Sequence, residues 1–318
     1  MFYDVFNGDA DGLCALHQLR LQEPAESILI TGVKRDVSLL RRVGAGAGDM
    51  VTVLDIAVEK NLDALNALLD QGARVRWFDH HHPGELPQHP NFSANIHTRA
   101  DTCTSLLVDH ALDGAQRPWA VVGAFGDNLA ESARRAAGAL GLDAEELDLL
   151  RELGECLNYN GYGDSIEDLH FHPADLYRSI EPYADPFGYI WDSREFAALR
   201  AGYAADMALA RAYGPQESRA SGAVYVLPDA AWARRASGVY ANHLASLHPA
   251  SAHAILTRSS RGHYVVSVRA PLANPIGADE LCRRFATGGG RKGAAGINVL
   301  VDADIPRFVA AFFEIYPD

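Results

Sequence analysis

The chain has 318 residues, enough for two domains of ordinary size, each with its own core. Apolar residues make up 48% and charged residues 22%, the balance of a globular protein, and no stretch approaches the roughly 18 uninterrupted apolar residues of a membrane span. The net charge of -13 disfavours tight binding of long duplex DNA through many phosphates, but not hydrolysis of short strands at a site whose acids are neutralised by bound cations.

Met1-Phe2-Tyr3-Asp4 has neither the basic start nor the apolar run of a signal peptide, so a cytoplasmic protein is expected. Short apolar runs at 3–6, 27–31, 50–54 and 74–78 predict buried strands. Between them, 11–22, 36–43 and 59–71 carry apolar residues at helical spacing. Such alternation predicts an α/β fold with a parallel sheet, in which ligands bind beyond the carboxyl ends of the strands. From Asp127 to about 185 the pattern is mostly helical, interrupted by Asn158-Tyr159-Asn160-Gly161-Tyr162-Gly163, and 193–213 predicts one Ala-rich helix. A smaller α/β unit follows, with strands expected at 223–227, 252–257, 264–269 and 297–301 and helices at 230–247, 277–285 and 305–316. The organisation expected is therefore a catalytic domain over 1–190, a connector over 191–215 and a second domain over 216–318. The four cysteines are far apart, form no C-x-x-C pair and are expected to be reduced.

Acids and histidines cluster where the parallel-sheet rule expects function. Asp9 and Asp11 follow the first strand candidate, Asp55 the third, and Asp79-His80-His81 the fourth. Asp127, in Gly126-Asp127-Asn128, is read as a further strand-end acid. An isolated Asp there is as often a helix cap, and Asp-Gly is ordinary turn chemistry. Four such signals at successive sheet positions instead predict a cation site. Carboxylates mixed with imidazoles favour Mn²⁺, or Mg²⁺, over the thiolate sites that select zinc. Thr102-Cys103-Thr104-Ser105 is expected to cap the following helix with a hydroxyl; a helix N-terminus facing an anion is the alternative. Gly288-Gly289-Gly290-Arg291-Lys292-Gly293 offers backbone N–H groups and cations to a phosphate, or else a flexible turn. His170 and His172 alternate as in a strand and are expected to be structural or near the substrate. Tyr159 and Tyr162 are candidates for stacking on bases, or parts of a packed loop.

Taken together, Asp9-x-Asp11-Gly12, Asp55, Asp79-His80-His81 and Gly126-Asp127 resemble the four motifs of the DHH phosphoesterases. The glycine-rich run resembles the G-G-G-H-x-x-A-A-G signature of the DHH-associated C-terminal domain, with Arg291 in place of His. The resemblance spans nearly the whole chain and implies an N-terminal metal-binding domain joined by a helix to a smaller substrate domain. It implies a two-ion, Mn²⁺-dependent hydrolase with Asp9 on one ion, Asp11, His80 and Asp127 on the other, and Asp55 between them. Asp79 would orient a histidine, and His81 would contact phosphate. Arg269, Gly288, Gly289, Gly290 and Arg291 would contact substrate, with Asn7, Asn128 and Thr104 as further candidates. Where several branches place a histidine ahead of the first Asp this chain has Val5, so the ion at Asp9 is expected to be held more loosely.

The activity implied is a 3′→5′ exonuclease acting on single-stranded DNA or short oligonucleotides, with no membrane partner and compatible with a homodimer. The alternatives are a phosphodiesterase or phosphatase of small nucleotides (cyclic dinucleotides, 3′-phosphoadenosine 5′-phosphate) and a nucleotide-sensing module without catalysis.

Overall fold

Apolar runs rich in Val, Leu, Phe and Tyr suit strands covered on both faces. Four such runs open a parallel sheet in the computed structural model, which describes residues 1–318. The strands are β1 (Phe2–Phe6), β2 (Ile28–Ile30), β3 (Met50–Leu54), β4 (Arg74–Asp79) and β5 (Phe92–Ile96), in the order β2-β1-β3-β4-β5, all parallel. The chain runs outward from β1 to β2 and then returns to β3 on the other side of β1. The order therefore reverses beside β1, and a crevice opens at the carboxyl ends of β1 and β3. One face buries Val5, Val51, Val53, Val75 and Trp77 with Leu65 and Leu68.

Helix α1 (Ala10–Gln22) is buried from Ala10 to Leu19. The segment 36–43, expected to be helical, forms only a 3-10 turn at Leu39–Arg42, because eight residues followed by a Gly-Ala-Gly-Ala-Gly run are too few to sustain a helix. The expected helix over 59–71 starts late, as α2 (Leu62–Asp70). Asn61 spends its side chain on loop groups, donating to Val37 O and Ala57 O and accepting from the Leu40 N–H. β5 is an addition to the expected strands: Phe92-Ser93-Ala94-Asn95-Ile96 is short, alternates apolar with polar residues and is half exposed, as an edge strand can be.

A helical layer follows: α3 (Thr104–Ala111), α4 (Arg117–Gly126), α5 (Ala130–Ala137), α6 (Ala144–Asn160), α7 (Pro173–Ile180) and α8 (Pro186–Asp192). α6 begins with a reciprocal capping box between Asp143 and Glu146. α9 (Arg194–Arg211) contains the division between two compact units, Met1–Gly161 with Ser165–Arg200 and Tyr162–Asp164 with Ala201–Asp318.

In the second unit β6 (Glu217–Arg219), β7 (Gly222–Leu227), α10 (Ala231–Leu247), β8 (Ala252–Arg258), β9 (Tyr264–Arg269), α11 (Ala278–Arg283), β10 (Gly288–Gly290), β11 (Ala294–Leu300) and α12 (Ile305–Ile315) follow in order. They form a mixed sheet, β10-β11-β9-β8-β7-β6, whose one parallel pair, β7 and β8, is linked by α10. Its core gathers Val224, Ile297, Phe308 and Phe312. The short strands β6 and β10 lack an apolar pattern and are likewise additions to the expected set. No helix is long and apolar enough to cross a membrane. All four cysteines are free and buried.

Glycines let α1, α4 and α6 approach closely. A Cβ on Gly126 would overlap Ala10 Cβ of α1 and come within 2.8 Å of Gly154 O in α6. Gly126→Ala should therefore lower folding stability by about 1–3 kcal/mol, as overpacking does. Urea denaturation would show this, and an unchanged midpoint would contradict the close packing.

Candidate functional site

At the end of β1 the chain turns through Asn7-Gly8 into α1. Asp9 is the helix N-cap, its Oδ1 accepting from the Gly12 N–H at 3.1 Å. Asp11, in the first turn and 1% exposed, faces the N-terminus of α3. Its two oxygens accept from the Thr104 N–H at 2.8 Å and the Ser105 N–H at 2.7 Å. The positive end of a helix is a good place to hold a carboxylate. Thus the expected hydroxyl cap is not formed: Cys103, the N-cap, makes no side-chain bond, and a carboxylate from α1 caps the helix instead. The Ser105 hydroxyl donates to Asp11 O, and Thr104 Oγ1 donates to Asp55 Oδ1 at 3.2 Å.

Asp55 follows β3 with a φ of 58°, in the left-handed region that Asp and Asn tolerate better than most residues. That turn carries its carboxylate out of the strand direction toward Asp11 and His80, whose charges both act on it or on its neighbours. Asp79, fully buried at the end of β4, accepts from the His80 N–H at 2.9 Å and from His81 Nδ1–H at 2.7 Å. His80 donates its own Nδ1–H to Thr102 O at 3.1 Å. That leaves His80 Nε2 directed inward, 3.4 Å from Asp55 Oδ1 and 3.9 Å from Asp127 Oδ2.

Donor atoms of Asp55, His80 and His81 lie within 4.8 Å of one another. The His81 atom nearest Asp55 is Nδ1, at 3.8 Å, and Asp79 already holds it. His81 therefore offers no Nδ1 lone pair to this group, and its side chain is 44% exposed.

Asp127, expected at a strand end, is instead the residue after α4. The apolar run Trp119–Phe125 is a helix buried on all sides, which periodicity cannot distinguish from a buried strand. Even so its carboxylate joins the group. Asp127 Oδ2 is buried without a hydrogen-bond partner, and Oδ1 lies 3.9 Å from the Lys34 ammonium. Lys34, not anticipated from the sequence, also donates to Asp9 Oδ2 at 2.5 Å and Asn158 Oδ1 at 3.0 Å. The available signal was positional: Lys34 follows β2, the neighbour of β1, so it reaches the same end of the sheet.

Charge decides the behaviour of the group. Burial, and then repulsion from Asp55, push the Asp11 carboxyl up to about 6. Burial and the Asp9 charge raise Asp55, and burial raises Asp127 despite Lys34 and His80. Burial would also raise Asp9, but Lys34, by charge and hydrogen bond, holds it below its usual range. Burial opposes a charged His80, yet Asp55, Asp127 and Asp11 outweigh it and push the imidazole up to about 10. His81 is raised in the same sense, against burial, by Asp79 and Asp55. Inward carboxylates with one imidazole nitrogen, and an unpartnered buried Asp127 oxygen among them, are a donor set that fits a divalent cation of the Mn²⁺ or Mg²⁺ type.

The other candidates fall elsewhere or have different surroundings. Asn7 is buried beside the group, its Nδ2 donating to Lys34 O and its Oδ1 unpartnered, while Asn128 sits at a φ of 62° after Asp127. His170 and His172 do not alternate in a strand: His170 bonds Tyr159 Oη at 2.8 Å, and His172 caps α7 through the Ala174 N–H. Tyr159 is fully buried and cannot stack on a base. Tyr162 packs against Gly238 of α10. In the second unit, Gly288, Gly289 and Gly290 form β10, paired with β11 through a turn closed by mutual Arg291 and Ala294 backbone bonds, rather than an open loop. Arg269 ends β9, its guanidinium donating to Asn242 Oδ1 and Val268 O, both neutral.

Among solved structures, the crystal structure of exonuclease RecJ bound to manganese is similar to this chain at 19% identity, with a TM-score of 0.60 over 100% of this chain and 90% of that one. RecJ from Thermus thermophilus in complex with Mn²⁺ is similar at 19% identity and a TM-score of 0.58, over 98% of this chain and 51% of that one, so this chain spans about half of it. A pGpG-specific phosphodiesterase, PggH from Vibrio cholerae, is similar at 16% identity and a TM-score of 0.56, over 98% of both chains. No family model and no curated protein sequence matches. The chain has a RecJ-like fold.

The raised Asp11 carboxyl has a consequence for the cation-free protein. Between the unfolded value of 3.8 and about 6 the folded chain keeps a proton that the unfolded chain has lost, so this contribution to stability is present below pH 4 and disappears as pH rises to 6. An Asp11→Asn variant lacks that loss. In excess chelator its stability relative to the parent should improve by about 2–3 kcal/mol from pH 4 to pH 7. Parallel stability curves for the two proteins would rule the buried charge out.

Proposed function

We propose that this protein is a divalent-metal-dependent phosphoesterase, an exonuclease that hydrolyses single-stranded DNA or short oligonucleotides from the 3′ end. The observation that carries this reading is the convergence of Asp11, Asp55, Asp127 and His80 Nε2 beside a half-exposed His81 at the carboxyl end of the sheet. Those four side chains would hold the ion, and Mn²⁺ or Mg²⁺ there would lower the pKa of a water and draw charge from the phosphoryl oxygens.

The chain's own residues divide the remaining work. Thr102 O fixes His80 so that Nε2 is directed inward, where a bound cation would take the place of its proton, and the α3 N-terminus holds Asp11 without using a side chain. Asp79 and Asp55 favour the charged form of His81, in which its outer nitrogen can donate to a phosphoryl oxygen or deliver a proton to the leaving oxygen. Within the second unit, Arg269, half-buried and bonded only to neutral partners, and Arg291 at the β10–β11 turn are the cations proposed for contact with a nucleotide phosphate. RecJ is an exonuclease, and likeness to it over the whole of this chain supports the same class of chemistry.

A dinucleotide substrate is the second reading, favoured by likeness to the pGpG-specific phosphodiesterase over nearly all of both chains. The two readings separate when purified protein with Mn²⁺ is given 5′-labelled DNA and RNA oligomers of several lengths, linear and cyclic dinucleotides, and 3′-phosphoadenosine 5′-phosphate. A ladder shortening from the 3′ end is expected. Turnover of dinucleotides alone would select the second reading, and binding without turnover would refute the enzyme. His81→Ala should lower kcat by about 10²–10⁴-fold, as loss of a proton-transfer group does. Unchanged kcat would remove His81 from the chemistry.

A further inference from the structure

We propose that Lys34 is a built-in cation that occupies the Asp9 side of the carboxylate group, so that the site takes one divalent ion, on the side of Asp55, His80 and Asp127. This rests on the metal-dependent reading above and narrows it, replacing the pair of ions implied by the DHH resemblance.

Lys34 is held as a component of the site. Its backbone is pinned on both sides, the N–H donating to Gly161 O at 2.8 Å and the carbonyl accepting from Asn7 Nδ2 at 3.3 Å. The side chain is 25% exposed, and its ammonium meets three oxygens, Asp9 Oδ2 at 2.5 Å, Asn158 Oδ1 at 3.0 Å and Asp127 Oδ1 at 3.9 Å. Two of these contacts are hydrogen bonds, to Asp9 and Asn158, and the third is an ion-pair approach to Asp127. Both oxygens of Asp9 already have a partner, Oδ1 the Gly12 N–H and Oδ2 the Lys34 ammonium, so a cationic group already stands at this carboxylate. Val5 at the end of β1 is fully buried and apolar, and offers no ligand.

The two oxygens of Asp127 divide the group into two sides. Oδ1 faces Lys34, while Oδ2, buried and unpartnered, faces His80 Nε2. One carboxylate thus joins an occupied cation position to an open one. The charge count agrees. Four carboxylates against Lys34 and one divalent ion leave a single net negative charge, whereas a second divalent ion would make the group net positive and set a dication against an ammonium at close range.

The test is metal stoichiometry on the full chain, stripped with chelator and then titrated with Mn²⁺ by calorimetry, with electron paramagnetic resonance of the loaded protein. The wild type should bind one Mn²⁺ per chain and give the spectrum of an isolated ion. Lys34→Met, which keeps the stem and removes the charge, should bind two and show spin coupling between them; Lys34→Arg should bind one. Two coupled ions in the wild type would overturn the inference and leave the metal-dependent reading intact. No Mn²⁺ binding would overturn both. A folded Lys34→Met that binds one ion would also overturn it, because Lys34 would not then be what excludes the second. Should Lys34→Met fail to fold, the wild-type stoichiometry and spectrum still decide.

Discussion

Burying like charges together is the constraint on which this structure turns. Asp9, Asp11 and Asp55 are each at most 2% exposed, and Asp127 lies beside them, so the group repels itself in a medium that screens poorly. Each acid is made tolerable by a different element: the first turn of α1 and Lys34 for Asp9, the N-terminus of α3 for Asp11, Thr104 and His80 for Asp55. These partners come from the ends of β1, β2, β3 and β4 and from the helical layer. The order reversal beside β1 is what lets one point receive them all. What remains uncompensated faces His80 Nε2, and that remainder is the capacity for a cation.

Two adjacent histidines show how partners rather than residue type set a role. His80 gives its Nδ1–H to a neutral carbonyl and turns its other nitrogen inward among carboxylates. His81 gives its Nδ1–H to the Asp79 carboxylate and is left partly exposed. One buried acid, Asp79, thereby fixes both the backbone of the first and the ring of the second. The proposed cation ligand and the proposed anion contact thus come from one strand end and three consecutive side chains.

Much of this was legible in the sequence, and the failures have physical causes. The strands β1, β3 and β4 and the acids that follow them could be read because a buried parallel strand is a continuous apolar run with an abrupt polar end. The same run around Trp119 is a helix, since burial on all sides erases the 3.6-residue period, yet Asp127 still reaches the group. Lys34 could not be read, because its role depends on β2 lying next to β1, a fact of topology rather than of local pattern. The α3 terminus was misjudged for a related reason: sequence shows which hydroxyls are near a helix start, whereas the carboxylate that caps it comes from a residue 93 positions away. In the second unit the glycine run was visible but its pairing with β11 was not, because glycine carries no apolar signal for a strand.

If buried, uncompensated carboxylate charge is held for a divalent ion, thermal unfolding at pH 7 with and without Mn²⁺ should show it most directly. In chelator, Asp55→Asn should unfold at a higher temperature than the wild type, because it removes a costly buried charge and Asn accepts the left-handed backbone at that position. Mn²⁺ should raise the wild-type midpoint in proportion to the logarithm of its concentration above the dissociation constant and should leave Asp55→Asn nearly unmoved. A wild-type midpoint indifferent to Mn²⁺, or an equal rise in both proteins, would contradict a site held open for a cation.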